Sequence, residues 1–201
     1  MGYTTELMKD LEGYISSDTF ERVLNCAVCE RDRLLLLVGW RTGRRISEIL
    51  LLKKEHINWD SRLVKFKILK KRNKEYYKLK AVDSDLLNQL YVYTKNLAPE
   101  DYLFYGRDKG SHVSRRQAYN IIRKAAETAN VYSVGLKPPH PHMLRHSFAI
   151  NFLKKAKNQT IAIKLLQTIL EHSDLRMTSH YLQFGQADLR EELENVFKKE
   201  E

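Results

Sequence analysis

The feature that most restricts the fold is a change of period. From His56 to Leu79 apolar and basic residues alternate: Ile57-Asn58-Trp59, Leu63-Val64-Lys65-Phe66-Lys67-Ile68 and Tyr76-Tyr77-Lys78-Leu79, with Asp60-Ser61 and Lys71-Arg72-Asn73 between them. A period of two places successive side chains on opposite faces, so this stretch predicts three antiparallel strands with a lysine-bearing hairpin exposed at one end. On either side of it the apolar spacing is helical.

Ser16-Ser17-Asp18 starts a predicted helix over Thr19 to Glu30, with Phe20, Val23, Leu24 and Ala27 as its stripe. A second runs from about Arg31 to Arg41 with Leu34, Leu35 and Val38 inward, until Gly43 breaks it and Ile46, Ile49 and Leu50 begin a short third. Helical spacing resumes at Asp83 to Lys95. After the short apolar run Tyr102 to Tyr105 it returns at Ser114 to Ala129, with Tyr119, Ile122, Ala126 and Ala129 inward and Arg115, Arg116, Arg123 and Lys124 outward. That basic side fits a solvated face or a DNA contact. Pro138-Pro139-His140-Pro141 forms a stiff lead into a helix from His142, whose Leu144, Phe148, Phe152, Ala149, Leu153 and Ala156 make a wide stripe. Thr160 to Leu170 and Gln186 to Lys198 close the series. The class is therefore α+β, mainly α-helical, with a small three-stranded antiparallel sheet. At 201 residues, with 8 Gly, 4 Pro and no repeat or linker, residues 1–201 are expected to form one domain.

An excess of 35 Lys and Arg over 25 Asp and Glu gives a net charge of +10, which attracts a polyanion such as nucleic acid or an acidic membrane surface and also serves solubility. The longest apolar run, Leu34 to Trp40, is far short of the ~20 residues a spanning helix needs, and no charged-then-apolar leader precedes it. Cys26 and Cys29 form a C-x-x-C, but no second pair completes a four-ligand zinc site. Their spacing fits one face of the first helix, so buried, reduced thiols are expected.

Three local patterns bear on chemistry. Thr42-Gly43-Arg44-Arg45-Ile46-Ser47-Glu48 places a tight turn before a helix, with Arg45 and Glu48 on one face, an arrangement that also suits an ordinary surface ion pair. His142-Met143-Leu144-Arg145-His146 sets His142 beside Arg145 at a helix start. His142 and His146 have a metal-chelating spacing, yet the glutamate of H-E-x-x-H is missing and no third ligand follows, so no metal and no cofactor are expected. Leu170-Glu171-His172-Ser173-Asp174 and Thr178-Ser179-His180-Tyr181 form the third pattern.

In this order, T-G-R-R-I-S-E, a basic hairpin, H-M-L-R-H-S-F-A, L-E-H-S-D and T-S-H-Y resemble the tyrosine recombinase (phage integrase) family over about residues 17 to 190. The resemblance implies the family's catalytic-domain fold, with Arg45 and Arg145 as phosphate-clamping arginines, His142 and His172 as the paired histidines and Tyr181 as nucleophile. It implies a general-acid lysine on the hairpin, best matched by Lys71, with Lys70 and Lys74 as competitors, and Glu48 as a partner that orients the site. DNA contacts are expected from Arg44, Lys70, Arg72, Lys74, Arg115, Arg116 and Arg123. The implied reaction is site-specific DNA cleavage and rejoining through a 3′-phosphotyrosyl link. Topoisomerase IB-like relaxation by the same chemistry, or a DNA-binding module with an inactive or auxiliary site, are the alternatives.

These residue types suit that chemistry. Charge builds on the non-bridging oxygens of an attacked phosphodiester, and guanidinium forks stabilise it. A tyrosine is a modest nucleophile and a good leaving group, so the covalent link conserves the backbone bond for reversal. A lysine can protonate the departing 5′ oxygen. The expected partners are double-stranded DNA and further copies of the chain, a tetramer on DNA held through helix 186–198, in a cytoplasmic, nucleoid-associated protein. The family's N-terminal DNA-clamp domain is not expected within these residues. Three departures stand out: Arg44 where the family usually has an apolar residue, Glu171 where it usually has glycine, and a slight lengthening at Lys154 to Gln159.

Overall fold

The computed structural model describes residues 13–68, 76–108, 110–135, 137–156 and 158–170. Helix α1 (Ser17–Asn25) is capped by the Ser16 hydroxyl, which accepts from the Thr19 amide at 3.2 Å. It stops five residues before the expected end. Cys26 is its C-cap, Cys29 is the extended N-cap of α2 (Glu30–Thr42), and the chain turns between them with Val28 exposed. This break takes the two cysteines off a common helical face: Cys26 is half-buried, Cys29 is exposed and both are free thiols, which corrects the expectation of two buried thiols.

Helix α2 is buried through five consecutive residues, Leu34 to Val38, rather than along one stripe. It can be apolar all round because α1 and three later helices, α4 (Ser84–Tyr93), α5 (Arg115–Thr128) and α6 (Pro141–Lys155), pack about it. Its Gly39 lets α6 approach closely, since a Cβ there would sit 2.9 Å from a methyl of Leu144. Gly43 ends α2 in the left-handed region, φ 59°, and short helix α3 (Ile46–Ile49) follows.

After a 3-10 turn, strands β1 (Ile57–Asn58), β2 (Leu63–Ile68) and β3 (Tyr76–Ala81) form an antiparallel sheet in that order, with Phe66 opposite Lys78 and Val64 opposite Lys80. Val64, Phe66 and Ile68 point into the core, as the alternation requires. Helix α4 (Ser84–Tyr93) follows, and Leu103 and Phe104 then enter the core with no exposed surface. In α5 (Arg115–Thr128), Ala118, Ile122, Ala125 and Ala126 are buried, Tyr119 is only half-buried, and Arg115, Arg116, Arg123 and Lys124 face solvent.

Helix α6 (Pro141–Lys155) has its proline at the first position, where no amide hydrogen is missed. It packs on α2 through Leu144 and on α7 (Gln159–Leu170) through Ala149, Ile150 and Leu153 against Ala162, Leu166 and Leu170. Among the described residues, no helix is long and apolar enough to cross a membrane.

Candidate active site

The site is built at the turn between α2 and α3. Glycine at position 43 is needed twice over: its φ is positive, and a Cβ there would collide with the Phe148 ring of α6. The turn gives Arg44 and Arg45 different surroundings. The Arg45 side chain is 31% exposed, whereas that of Arg44 is 0% exposed. Arg44 therefore does not have the solvent-facing position expected of a DNA contact. Its charge is already neutralised by a buried carboxylate, and Arg44 serves inside instead.

Glu48 explains how two adjacent arginines can be held this way. Its carboxylate is 1% exposed and accepts from Arg44 Nε at 2.9 Å through Oε2, which also lies in ion-pair contact with Arg44 Nη2 at 2.8 Å, and from Arg45 Nη1 at 3.3 Å through Oε1. It also accepts from the Arg45 backbone amide at 3.3 Å. Such an anion is tolerated in the interior because each oxygen has a cationic donor. Glu48 thus touches Arg45 directly, as an orienting partner must.

Arg145 reaches the same place from the second turn of α6. It is 4% exposed, and its guanidinium donates to the Gly43 carbonyl at 2.8 Å and to the Leu170 carbonyl at 2.6 Å. One side chain thereby joins the turn bearing Arg45 to the last described residue of α7. His142, one turn before Arg145, is exposed. Partial desolvation of its ring lowers its pKa below the ordinary 6.5, as do the nearby charges of Arg145, His140, His146 and Arg45. The imidazole is neutral at pH 7, the form that accepts a proton.

Of the expected site residues, Arg45, Glu48, His142 and Arg145 are thus brought together. Lys70, Lys71, Arg72, Lys74, His172 and Tyr181, with Glu171 and helix 186–198, lie outside the described residues. Arg115, Arg116 and Arg123 are exposed on α5, and Arg123 spends its Nε on Glu127 at 2.7 Å. Among the described residues no group of three or more His, Cys, Asp or Glu side chains is placed to hold a metal. Sequence reading missed Lys80, whose ammonium donates to the Thr168 carbonyl at 3.0 Å across 88 residues of chain. No local signal marks so distant a contact.

The fold is shared with solved recombinases. The structure of XerH bound to a palindromic difH substrate, a post-cleavage complex, matches with a TM-score of 0.70 at 23% identity, over 92% of this chain and 53% of that one. XerA matches with a TM-score of 0.68 at 22% identity, over 94% and 64%. In sequence, the chain is 32% identical over 155 residues to a probable integrase/recombinase, YoeC, of Bacillus subtilis, covering 76% of this chain and 77% of the relative. A tyrosine recombinase of Pseudothermotoga lettingae is 31% identical over 153 residues, 76% of this chain and 49% of that protein. A model of the phage integrase family matches residues 14–187, and the chain belongs to that family. It spans about half the length of the Pseudothermotoga relative.

Proposed function

We propose that this chain is a tyrosine-type site-specific DNA recombinase acting on double-stranded DNA, with residues 1–201 working as one catalytic unit. The observation that carries the reading is the double grip of Arg145 on the carbonyls of Gly43 and Leu170. It gathers Arg45, His142 and the chain leading to His172 around one point. Curated relatives named as tyrosine recombinases support it.

In this reading the Tyr181 oxygen attacks a DNA phosphorus, the bond to the 5′ oxygen breaks, and a 3′-phosphotyrosyl link forms. His142, neutral at pH 7, accepts the tyrosine proton, and Lys71 supplies a proton to the leaving oxygen. Arg45 and Arg145 stabilise the charge on the non-bridging oxygens, and His172 donates a hydrogen bond to the phosphate. Attack by the freed 5′ hydroxyl of another strand reverses the chemistry and exchanges strands. Lys70, Arg72, Lys74, Arg115, Arg116 and Arg123 contribute DNA contacts. The protein assembles as a tetramer on DNA through residues 186–198 and works in the cytoplasm at the nucleoid.

The test is leaving-group rescue on a target site. Lys71→Ala is expected to lose cleavage of ordinary DNA and recover it on DNA with a 5′-bridging sulfur, which leaves without a proton. Rescue confined to Lys74→Ala moves the acid to Lys74. Absence of any covalent product from the unsubstituted protein overturns the enzyme reading.

A further inference from the structure

A belt in which cations alternate with aromatic rings crosses the surface away from the site. It begins at the start of α2, where the Arg31 guanidinium sits 5.4 Å over the Tyr105 ring and donates through Nη1 to the Tyr105 carbonyl at 2.9 Å. Tyr105 pairs through its backbone with His112, whose ring meets that of Tyr102 edge-on with centroids 5.0 Å apart. Lys53 lies over the Tyr102 ring at 5.2 Å, and its backbone amide donates to His56 Nδ1 at 3.2 Å. The His56 ring in turn lies 5.6 Å from that of Tyr77, over which the Lys65 ammonium stands at 4.4 Å.

The fold separates this belt from the site. Lys67 pairs with Tyr77 across β2 and β3, so Lys65 and Tyr77 share the sheet face opposite the buried Phe66. Arg44 lies over Phe66, on the core side. At the other end, α2 runs for 13 residues, about 20 Å, between the start of the belt and the turn bearing Arg45.

Positive charge prevails along the sheet end of the belt. Burial lowers the pKa of His56 below 6.5, the Glu55 carboxylate opposes that shift, and Lys65, Lys53 and Lys67 reinforce it, three cations against one anion. Lys53 meets Glu55 only at 3.9 Å on the surface, where such a pair is weak. Arg31 is matched by Asp32 at 2.8 Å and holds Tyr105 in place, leaving that ring 48% exposed. Cations alone would suit any phosphate backbone. Rings between them add what a duplex cannot use, because its base faces are stacked inward, whereas an unpaired strand offers a base and a phosphate in turn.

We propose that this belt binds single-stranded DNA, with bases stacked on Tyr105 and Tyr77 and phosphates held by Lys53 and Lys65. In the recombinase reading the strand freed by cleavage is such a ligand, but binding requires no cleavage and the proposal goes beyond that reading.

Fluorescence anisotropy of a labelled oligothymidylate of about 12 nucleotides tests it, beside an abasic strand of the same length that keeps the phosphates and lacks the bases. Tyr105→Ala is expected to weaken oligothymidylate binding about fivefold or more, the least that loss of one stacked base costs, and to leave the abasic strand within about twofold. Tyr105→Phe, which keeps the ring, is expected to stay within about twofold on both strands. Lys65→Gln is expected to weaken both and to reduce the slope of log K against log salt by about 0.7. Unchanged oligothymidylate binding in Tyr105→Ala or in Lys65→Gln overturns the proposal. So does an equal loss on both strands in Tyr105→Ala, or a loss in Tyr105→Phe that matches it. Tighter binding of oligouridylate overturns the assignment to DNA. None of these measurements needs a covalent product, so the belt and the recombinase reading fail independently.

Discussion

The Arg145 guanidinium donates to the carbonyl of Gly43 at 2.8 Å across 102 residues of sequence. It thereby fixes α6, which carries His142, against the turn that presents Arg45. The bond requires the turn to come close to α6, and that closeness is what excludes a side chain at position 43.

Gly43→Ala is accordingly expected to be costly for a single methyl. The left-handed backbone contributes about 1–2 kcal/mol and the collision with Phe148 about 1–3 kcal/mol more. Denaturant unfolding reads the sum. A loss below about 1 kcal/mol would mean that α6 yields easily and that the contact does not define the site.

Glu48 neutralises two arginines, so it is expected to matter more than either partner alone. Glu48→Gln leaves the buried Arg44 charge uncompensated, a change that costs about 3–5 kcal/mol. Arg44→Leu combined with Glu48→Gln should recover most of that loss, because the orphaned charge is gone. Additive losses in the double variant would contradict the buried-pair account.

The depressed pKa of His142 has a defined sign. Between the ordinary 6.5 and the lower folded value, the unfolded chain binds the proton and the folded protein does not, so acidification through that window removes stability. Above 6.5 the contribution is fully present. The cleavage rate should follow the same group, falling with acid only below 6.5 and holding level through neutrality. His142→Gln should abolish that acid limb and lower the plateau. An acid limb centred above 6.5 would contradict the assignment.

Helix α5 should contribute to DNA affinity through its exposed arginines. Arg115→Ala and Arg116→Ala are each expected to reduce the slope of log K against log salt by about one. Arg123→Ala should have a smaller effect, because its guanidinium already pairs with Glu127. Equal effects at all three positions would show that this ion pair opens freely on DNA.

Most of this architecture is legible in the sequence because local rules dominate it. Alternation identified β2, and the Ser16, Asp83 and Ser114 caps mark helix starts that the structure retains. The break at Cys26–Cys29 was not legible: the apolar stripe of α1 runs on in sequence, and only packing against the core turns the chain. Arg44 is the more instructive case. Beside Arg45 in a basic turn it looks like a phosphate contact, and its true partners, Glu48 and the Ile169 carbonyl, include one that is 125 residues distant. Lys80 is similar, one of several alternating strand lysines until the end of α7 comes to meet it.

Tyr181 is the proposed nucleophile, served by the Arg45, His142 and Arg145 constellation. The most direct measurement is to trap the protein on a nicked suicide substrate, digest the denaturant-resistant complex and locate the DNA adduct by mass spectrometry. An adduct on the peptide containing Tyr181 is expected, absent with Tyr181→Phe. An adduct on any of the other tyrosines, or one that persists in Tyr181→Phe, would contradict it.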